Sequence, residues 1–288
     1  MSLVKLKTIF ILFLLFTINI YSQNFQELAI KNRKGLLNKI LTKKEIIVGV
    51  QKNHIPYTTE NPQYPGVDIE IIQLLCKYLG IQYKIVYGTI DELVQWTSNK
   101  QIDLALGGIS VDINRSLAVN FSYPYIITTP AGILNKRKLP RESFSIDFPK
   151  TRIQNLGDII NLPKLKIAIK SGTTYETLLK ENQEFSRHEI ILYKTNKEAL
   201  ESVLNGENDL FISDKVLIQA YLIQNPGIKE QFHIILGNYI EEYISALVPP
   251  DELEFLIFIN TFLKELERTE KLKTLLSKYL ESNKWLEK

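Results

Sequence analysis

Apolar residues recur along the chain in two alternating patterns, short continuous runs and longer stretches with a helical period. The run IIVGV (residues 46–50) predicts a buried strand. After the PGVD that follows, one apolar face is formed at helical spacing by Ile69, Ile72, Leu75 and Leu79. The spacing predicts a helix that Asp68 caps and Gly80 ends.

The same alternation continues through both halves of the chain. Strands are predicted at residues 83–87, 102–106, 165–169 and 209–212, and helices from Asp91 through Trp96, from the loop at 170–174 to Leu179, at 197–204 and at 215–224. Strands that alternate with helices indicate parallel sheets covered by helices. A polar, proline-marked segment at residues 140–163 separates the two occurrences, so the pattern predicts two α/β units.

The C-terminal end of the mature chain is predicted to be helical, whereas two interpretations of the N-terminal end stay open. Residues 36–41 form an amphipathic lead-in, and residues 23–44 are interpreted as an N-terminal extension, either a helix on the first unit or a tether. Near the C-terminus Asp251 is expected to cap a helix, and EKLKTLLSKYLES follows as a second one. The expected core-facing stripe of the first of these helices is Leu253, Leu256, Ile257 and Leu263.

The N-terminus has the pattern of a secretory signal. Lys5 and Lys7 precede an apolar run at residues 8–20, and Ser22 offers a small residue before Gln23. The run is shorter than the roughly 20 apolar residues that span a bilayer. We therefore expect residues 1–22 to be a cleavable signal peptide and the mature protein to be soluble and periplasmic. No cysteine near the cut could carry a lipid anchor.

Composition excludes several function classes. The chain of 288 residues is 45% hydrophobic and 23% charged, which is ordinary for a globular protein. Removal of Lys5 and Lys7 lowers the basic residues from 35 to 33 against 32 acidic ones, a formal charge of +1 that argues against a nucleic-acid surface. The single cysteine, Cys76, cannot form an intrachain disulfide and is expected in the core. The three histidines lack metal-ligand spacing, and there is no G-x-S-x-G motif, so no metal, cofactor or catalytic residue is predicted.

Four segments follow predicted strands and are the candidates for a binding site. They are QKNHIPY (51–57), GGISVDINR (107–115), KSGTT (170–174) and SD (213–214). In open parallel sheets, ligands bind beyond the carboxyl ends of strands, where loops lead into helices. The four segments are therefore expected to converge on one cleft.

Their side chains suit a zwitterion. Glycines in GGIS allow a close approach of backbone to ligand, Ser110 adds an N–H and a hydroxyl, and Arg115 offers a two-pronged donor for a carboxylate. KSGTT, at a helix start, is a second candidate for binding an anion. Asp214 could accept from a cation, and Tyr57 could wall the space. Structural alternatives stay open, because Arg115 could lie on a surface turn, Asp214 could only cap a helix and Tyr57 could only pack.

From residue 47 to about residue 285, the chain resembles a known family. The matching stretches are IIVGV followed by IPY, PGVDIEIIQLLCKYLG, NKQIDLALGGISVDINR with FSYPY, NLGDIINLPKLKIAIKSGTTYETLL, and ALESVLNGENDLFISD. In their order and spacing they resemble the bacterial extracellular solute-binding proteins of family 3, the polar amino-acid receptors of ABC importers.

The resemblance implies an α/β, two-lobed fold of the type II periplasmic-binding-protein kind, with a helix-flanked sheet in each lobe and two crossing hinge strands. Lobe 1 would comprise residues 45–134 plus 238–288, and lobe 2 residues 135–237. The resemblance also implies roles at the matching positions. Arg115 would clamp the ligand α-carboxylate with help from Ser110 and the Thr173 and Thr174 amides, Asp214 and the Gly108 carbonyl would take the α-ammonium, and Tyr57 would line the cleft.

Three positions around the expected side-chain pocket depart from the family pattern. Gln51 replaces a frequent acidic residue, His54 a frequent aromatic one, and Ile90 lies near a place often held by tryptophan or another aromatic residue. The glycine usual before the last helix is also missing. The ligand is therefore expected to be polar, neutral or small rather than cationic like arginine.

The sequence thus predicts a monomeric periplasmic receptor that delivers an amino acid to an ABC permease in the inner membrane and catalyses nothing. Two alternatives stay open. One is an enzyme on the same scaffold, resembling a cyclohexadienyl or arogenate dehydratase or, less expected, a lytic transglycosylase; a dehydratase would need an acid or base besides Asp214, and His54 is the candidate. The other is the soluble half of a sensory system.

Overall fold

A computed structural model describes residues 25–139, 153–237 and 240–286, which alternate strands and helices as the pattern predicts. The strands are β1 (Glu45–Val50), β2 (Gln82–Tyr87), β3 (Leu104–Ala105), β4 (Asn120–Phe121), β5 (Ile126–Thr128), β6 (Pro130–Asn135), β7 (Lys166–Lys170), β8 (Glu189–Tyr193), β9 (Leu210–Asp214), β10 (Phe232–Ile235), β11 (Glu242–Ile244) and β12 (Leu247–Val248). The α-helices are α1 (residues 25–32), α2 (Leu36–Lys43), α3 (Val67–Leu79), α4 (Ile90–Ser98), α5 (Thr174–Glu181), α6 (Asn196–Leu204), α7 (Lys215–Gln224), α8 (Ile228–Gln231), α9 (Leu253–Arg268) and α10 (Lys271–Leu280). Short 3₁₀ segments lie at Arg115–Leu117, Lys136–Lys138, Leu156–Asn161, Gln183–Phe185 and Lys284–Leu286.

The strands form two five-stranded sheets, one in each lobe. The first has the order β2-β1-β3-β12-β4 and the second β10-β6-β9-β7-β8. In each sheet the strands that alternate with helices pair in parallel, as β1 does with β2 and β3, and β7 with β8 and β9. The parallel pairing brings the loops after these strands to one edge of each sheet.

A two-stranded antiparallel ribbon of β5 and β11 joins the sheets. β5 leads from β4 of the first sheet to β6 of the second, and β11 leads from β10 of the second sheet back to β12 of the first. The predicted architecture of two α/β lobes with two crossing hinge strands is therefore confirmed.

The strand pairing differs from the predicted lobe bounds in one detail. β6, at residues 130–135, pairs with β9 and β10 of the second sheet, although the predicted boundary at 134/135 assigns most of it to lobe 1. The second predicted boundary, 237/238, falls beside residues 238–239, which lie outside the described part of the chain. The exact lobe bounds otherwise stay a prediction.

The N-terminal extension packs on the first lobe where it is described. α2 buries Leu36, Leu37, Ile40 and Leu41 and contacts β1 and α9. The Leu36 N–H donates to Glu252 Oε2 at 2.8 Å, and Arg33 pairs with Glu254 at 3.3 Å. The predicted signal peptide lies outside the described residues. Of the helices that are described, none combines the length and the apolar character needed to cross a membrane.

Three predicted helix caps are wrong. α3 begins after Gly66, and Asp68 is a fully buried residue of its first turn rather than its cap. α4 is capped by Thr89, whose side chain accepts from the Glu92 N–H in a capping box, and not by Asp91. α9 follows Glu252, which makes no side-chain cap, and Asp251 has a left-handed φ of 63°. The end of α3 at Gly80, with φ 62°, is confirmed.

The expected stripe on α9 is also mostly wrong. Leu253 and Ile257 are 63% and 54% exposed, and of the four expected residues only Leu263 is buried. The buried face of α9 consists of Phe255, Ile259, Phe262, Leu263 and Leu266. Both sets have helical spacing, so periodicity alone could not select the face that the tertiary fold covers. Cys76 is buried on α3, as expected.

Candidate functional site

The four predicted segments meet at one cleft between the two lobes. The residues that line it include eight of the predicted site residues: His54, Ile90, Gly108, Ser110, Arg115, Thr173, Thr174 and Asp214. Four further lining residues were not singled out: Lys170 and Ser213, which belong to the predicted segments, and Tyr175 and Asn196, which lie outside them. Gln51 and Tyr57 lie behind this lining, at 3% and 0% exposure. The free space is about 20 Å³, counted as volume that the centre of a water molecule can occupy.

On the first lobe, the cleft is shaped by a turn that only glycine fits. Gly108 follows β3 with φ 63°, and a Cβ there would lie 2.6 Å from ring atoms of Tyr57. Both the left-handed backbone and the ring contact require glycine. Tyr57 therefore supports the turn from behind, which is its predicted packing alternative, and its hydroxyl lies 3.5 Å from Asp214 Oδ1 across the cleft.

Asp68 holds the same turn from the other side, a role that its position in PGVD did not reveal. Its Oδ2 accepts from the Gly108 N–H at 3.2 Å. Burial raises the pKa of this carboxyl to about 7, although the hydrogen bonds it accepts lower it. Asp68 is thus a support of the turn rather than a helix cap.

Arg115 spans the cleft. Its backbone N–H donates to Asp112 Oδ1 at 2.9 Å, which fixes the start of the short 3₁₀ segment. Nη1 donates to the Ser110 carbonyl at 3.2 Å, and Nη2 donates to the Gly172 carbonyl of the second lobe at 2.7 Å. Burial lowers the pKa of Arg115, and Asp112, Asp91 and Glu242 partly offset this effect. A guanidinium stays charged at neutral pH in any such setting, so Arg115 is a fixed cation in the cleft.

The loop 170–174 of the second lobe ends at the start of α5. Thr173 precedes the helix, and its hydroxyl donates to the Lys170 carbonyl at 2.8 Å. The Thr174 hydroxyl donates to Glu242 Oε1 of the hinge strand β11 at 2.9 Å. The first N–H groups of a helix have no intrahelical acceptor, so the position suits an anion, as the sequence predicts.

Asp214 caps a helix, as one of its sequence interpretations expects, and its position leaves the other, acceptance from a cation, as a prediction. It caps α7, where Oδ1 accepts from the Leu217 N–H at 2.8 Å, and it also lines the cleft. Burial raises the pKa of this carboxyl to about 6, the hydrogen bonds from Leu217 and Tyr57 lower it, and nearby Glu242 raises it further. Removal from water disfavours the charged form of the carboxyl. A cation bound beside it would favour that form and so lower the pKa of Asp214.

Lys170, the last residue of β7, is the charged residue that sequence reasoning missed. Its ammonium donates to Gln51 Oε1 across the cleft, and Gln51 Nε2 in turn donates to the Gly107 carbonyl. Burial and the nearby Arg115 lower the pKa of Lys170 to about 8, and Asp91 partly offsets them. The only signal in the sequence was a lysine at the end of an apolar run, inside a loop interpreted for its backbone alone.

His54 and Ile90 form a less polar wall. The His54 ring stacks on Tyr57 with centroids 5.1 Å apart. Burial, and secondly the charge of Lys170, lower the pKa of His54 well below its usual value, so the imidazole is neutral at pH 7. Ile90 opens α4 and is 6% exposed. Among the described residues, no group of three or more histidine, cysteine, aspartate or glutamate side chains could hold a metal ion.

The comparisons with known proteins agree with this architecture. The family model described as "Bacterial extracellular solute-binding proteins, family 3" matches residues 46–282. An ancestral amino acid-binding protein, a precursor of cyclohexadienyl dehydratase, has a similar solved structure with a TM-score of 0.69 at 21% identity, covering 84% of this chain and 98% of that one. At this identity the likeness shows the fold alone.

Two curated relatives come from Pseudomonas aeruginosa. The cyclohexadienyl dehydratase is 24% identical over 190 residues, which are 65% of this chain and 66% of the dehydratase, just under two thirds of its length. The L-arginine-binding protein is 23% identical over 242 residues, which are 82% of this chain and 88% of the relative.

Proposed function

The chain belongs to the bacterial extracellular solute-binding proteins of family 3, and on this premise we propose that it binds an amino acid or similar small zwitterion between its lobes and delivers it to an ABC-type permease. The observation that carries the proposal is the placement of Arg115 and Asp214 in one cleft. The first is a fixed two-pronged donor for a carboxylate, and the second is a buried acceptor for an ammonium group. Together they match the two charges of an amino acid.

In this proposal each predicted residue has a defined task. Arg115 binds the α-carboxylate through the guanidinium that otherwise donates to the Ser110 and Gly172 carbonyls. Ser110 and the start of α5, at Thr173 and Thr174, add further donors. Asp214 and the Gly108 carbonyl accept from the α-ammonium. Charge-assisted bonds of this kind are strong because the cleft excludes water.

Binding requires the lobes to open and close. The free volume of about 20 Å³ has room for roughly one water molecule, far less than an amino acid needs. The β5–β11 ribbon is the natural hinge, since both connections between the sheets run through it. The Ser110 corner is bonded to that ribbon, with the Val111 N–H donating to the Tyr243 carbonyl at 2.9 Å, and Thr174 reaches Glu242 from the other lobe. Closure is then the signal that a permease reads.

Location and assembly follow from the same proposal. The relatives include periplasmic amino-acid-binding proteins, which supports export of this chain through its N-terminal segment. We propose that it acts as a monomer without a cofactor.

The test is a thermal-shift screen of the chain from Gln23 onward against the twenty L-amino acids. A ligand at about 100 times its Kd adds roughly 2.7 kcal/mol of stability, which raises the melting temperature visibly. The shift should vanish in Arg115→Ala and persist in Arg137→Ala, a control at an exposed arginine away from the cleft. A screen without any shift, or an Arg115→Ala variant that responds like the wild type, would contradict the proposal.

A dehydratase is the second candidate, favoured by the similarity to the cyclohexadienyl dehydratase. Its chemistry needs a proton donor near the substrate, and the neutral state of His54 at pH 7 argues against the imidazolium in that role. Incubation with a prephenate-like cyclohexadienyl acid decides between the two. Turnover that is lost in His54→Ala would establish the enzyme, and its absence beside a clear ligand shift supports the receptor.

A further inference from the structure

The cleft contains a cation that a neutral amino acid does not use. Of the described residues that line it, two are fixed or mainly protonated cations at pH 7, Arg115 and Lys170, and one is a carboxylate, Asp214. A zwitterion pairs with one cation and one anion. Lys170 is then left without a charged partner.

The surroundings of Lys170 do not supply one. Its ammonium donates to the side-chain oxygen of Gln51, a neutral amide. That amide is held in place from behind, because its nitrogen donates to the Gly107 carbonyl and the side chain is 3% exposed. In the part of the chain that the structure describes, no carboxylate forms an ion pair with Lys170. Asp91 is the acidic residue whose charge raises the pKa of Lys170, and its side chain is exposed to solvent.

The other groups around the ammonium also leave the charge uncompensated. Arg115 repels it, and His54 opposite is neutral because burial and Lys170 itself disfavour its protonation. An ammonium in such a place is costly unless an anion accompanies it. It has three donors, and Gln51 accepts from one of them.

From this arrangement we infer that the ligand carries a second carboxylate, and that Lys170 with the fixed Gln51 amide selects an acidic L-amino acid. The inference rests on the proposed function, because Arg115 and Asp214 must hold the α-carboxylate and α-ammonium for the side chain to point to Lys170. The ligand side-chain carboxylate accepts from the free donors of Lys170, and Gln51 keeps the ammonium aimed into the cleft. An acidic amino acid, with two negative charges and one positive, balances the two cations and one anion of the cleft lining.

The neutral side chain at position 51 fits the same inference. An acidic residue at position 51 would pair with Lys170 across the cleft and remove the charge that the ligand needs. An amide keeps Lys170 ordered without neutralising it. The inferred selectivity is opposite to that of relatives named for arginine, because a cationic side chain would face an ammonium here.

The test is isothermal titration of the chain from Gln23 onward with L-glutamate, L-aspartate, L-glutamine, L-asparagine and L-arginine. The wild type should bind one of the acids more tightly than its amide, which has almost the same shape. Lys170→Gln should lower the affinity for that acid by about 10- to 100-fold, the usual effect of a lost hydrogen bond to a charged group, and should leave the affinity for the amide within about threefold. Lys166→Gln, at the exposed far end of the same strand, is the matched control and should change neither.

The outcomes separate the inference from the function on which it rests. Tighter binding of an amide or of arginine by the wild type, with binding lost in Arg115→Ala, would overturn the acidic ligand and leave the amino-acid receptor standing. An equal loss of all ligands in well-folded Lys170→Gln would also overturn it, because Lys170 would then act on the common α-carboxylate. Binding of no amino acid at all would overturn both.

Discussion

The two sides of the cleft are built by different means. On the first lobe the wall depends on shape, since Gly108 lies between the Tyr57 ring and the Asp68 carboxylate, and His54 stacks on the same ring. On the second lobe the wall depends on charge and on helix starts, with Lys170 ending β7, Thr173 preceding α5 and Asp214 capping α7. Arg115 is the exception, a cation of the first lobe that reaches across to Gly172.

This difference predicts which wall of the cleft tolerates substitutions and which does not. A wall held by a positive-φ glycine and a buried ring tolerates little change, because each substitution meets packed atoms. A wall of strand ends and helix starts can exchange one polar side chain for another without disturbing the sheet. We therefore expect the first side to fix the pose of the ligand and the second side to set which side chain is accepted.

The largest expected effect on the first-lobe wall of the cleft is that of Gly108→Ala. The added methyl would meet the Tyr57 ring at 2.6 Å in a backbone with φ 63°, so we expect a loss of about 2–5 kcal/mol of unfolding free energy, together with ligand binding. Urea denaturation and titration measure the two effects.

Gly206→Ala is the matched control for that experiment. Gly206 has φ 80° and nothing within 4 Å of an added Cβ, so only the backbone cost of about 1–2 kcal/mol applies. Equal losses in the two variants would show that the Tyr57 contact does not constrain the turn.

On the second side, Asp214→Asn should raise stability and lower affinity. The raised pKa of Asp214, about 6 against 3.8, means that the ligand-free protein bears the cost of a buried charge at higher pH. Asparagine can still accept from the Leu217 N–H. We expect it to add about 1–3 kcal/mol to the unfolding free energy at pH 8 and to weaken amino-acid binding about 10-fold or more.

The stability gain of Asp214→Asn should depend on pH. Below the unfolded-state pKa, Asp214 is protonated in both states, so the gain from asparagine should fade toward pH 4. It should grow between about pH 4 and pH 6, where the unfolded state has lost the proton and the folded state still holds it, and level off above pH 6. Denaturant midpoints from pH 4 to 8 measure it, with exposed Asp91→Asn as the control. A gain that is constant over this range would mean that Asp214 has no raised pKa.

The smallest expected effect is an uptake of protons at Lys170. Its pKa of about 8 leaves roughly half of the molecules unprotonated at pH 8, and a bound carboxylate would raise that pKa. Binding of an acidic ligand should therefore take up roughly half a proton at pH 8. Titration calorimetry in buffers of different ionisation enthalpy measures this number. That number is the slope of the observed binding enthalpy against the ionisation enthalpy of the buffer. The same slope in Lys170→Gln and in the wild type would mean that a group other than Lys170 takes up the proton.

Much of the fold could be predicted because its signals are local. Continuous apolar runs became β1, β7 and β9, and a glycine in the left-handed region ends α3 as expected. The order of strands and helices also brought the candidate segments to one edge, because parallel strands put their following loops together. Of the candidate site, residues whose chemistry is visible in isolation, such as Arg115 and Asp214, lie in the cleft, and their roles in ligand binding stay a prediction.

The errors arose where two local solutions were equally good. α9 has two apolar faces with helical spacing, and packing covered the one with Phe255 rather than the one with Leu253. Asp68 and Asp91 each follow a turn and have the side chain of a helix cap. Thr89 caps α4 instead of Asp91, because it forms a capping box with Glu92. Asp68 is buried, where it accepts a hydrogen bond from the Gly108 N–H.

The sequence by itself determined the alternation of strands and helices, the presence of two glycines after β3 and the supply of groups for a carboxylate and an ammonium. Only the tertiary structure decided which groups face each other. Lys170 and Gln51 are 119 residues apart in the chain and come together across the cleft only because Lys170 ends β7 of one lobe and Gln51 directly follows β1 of the other. Periodicity and turn chemistry act over a few residues, whereas burial and charge pairing depend on neighbours that the chain brings from far away.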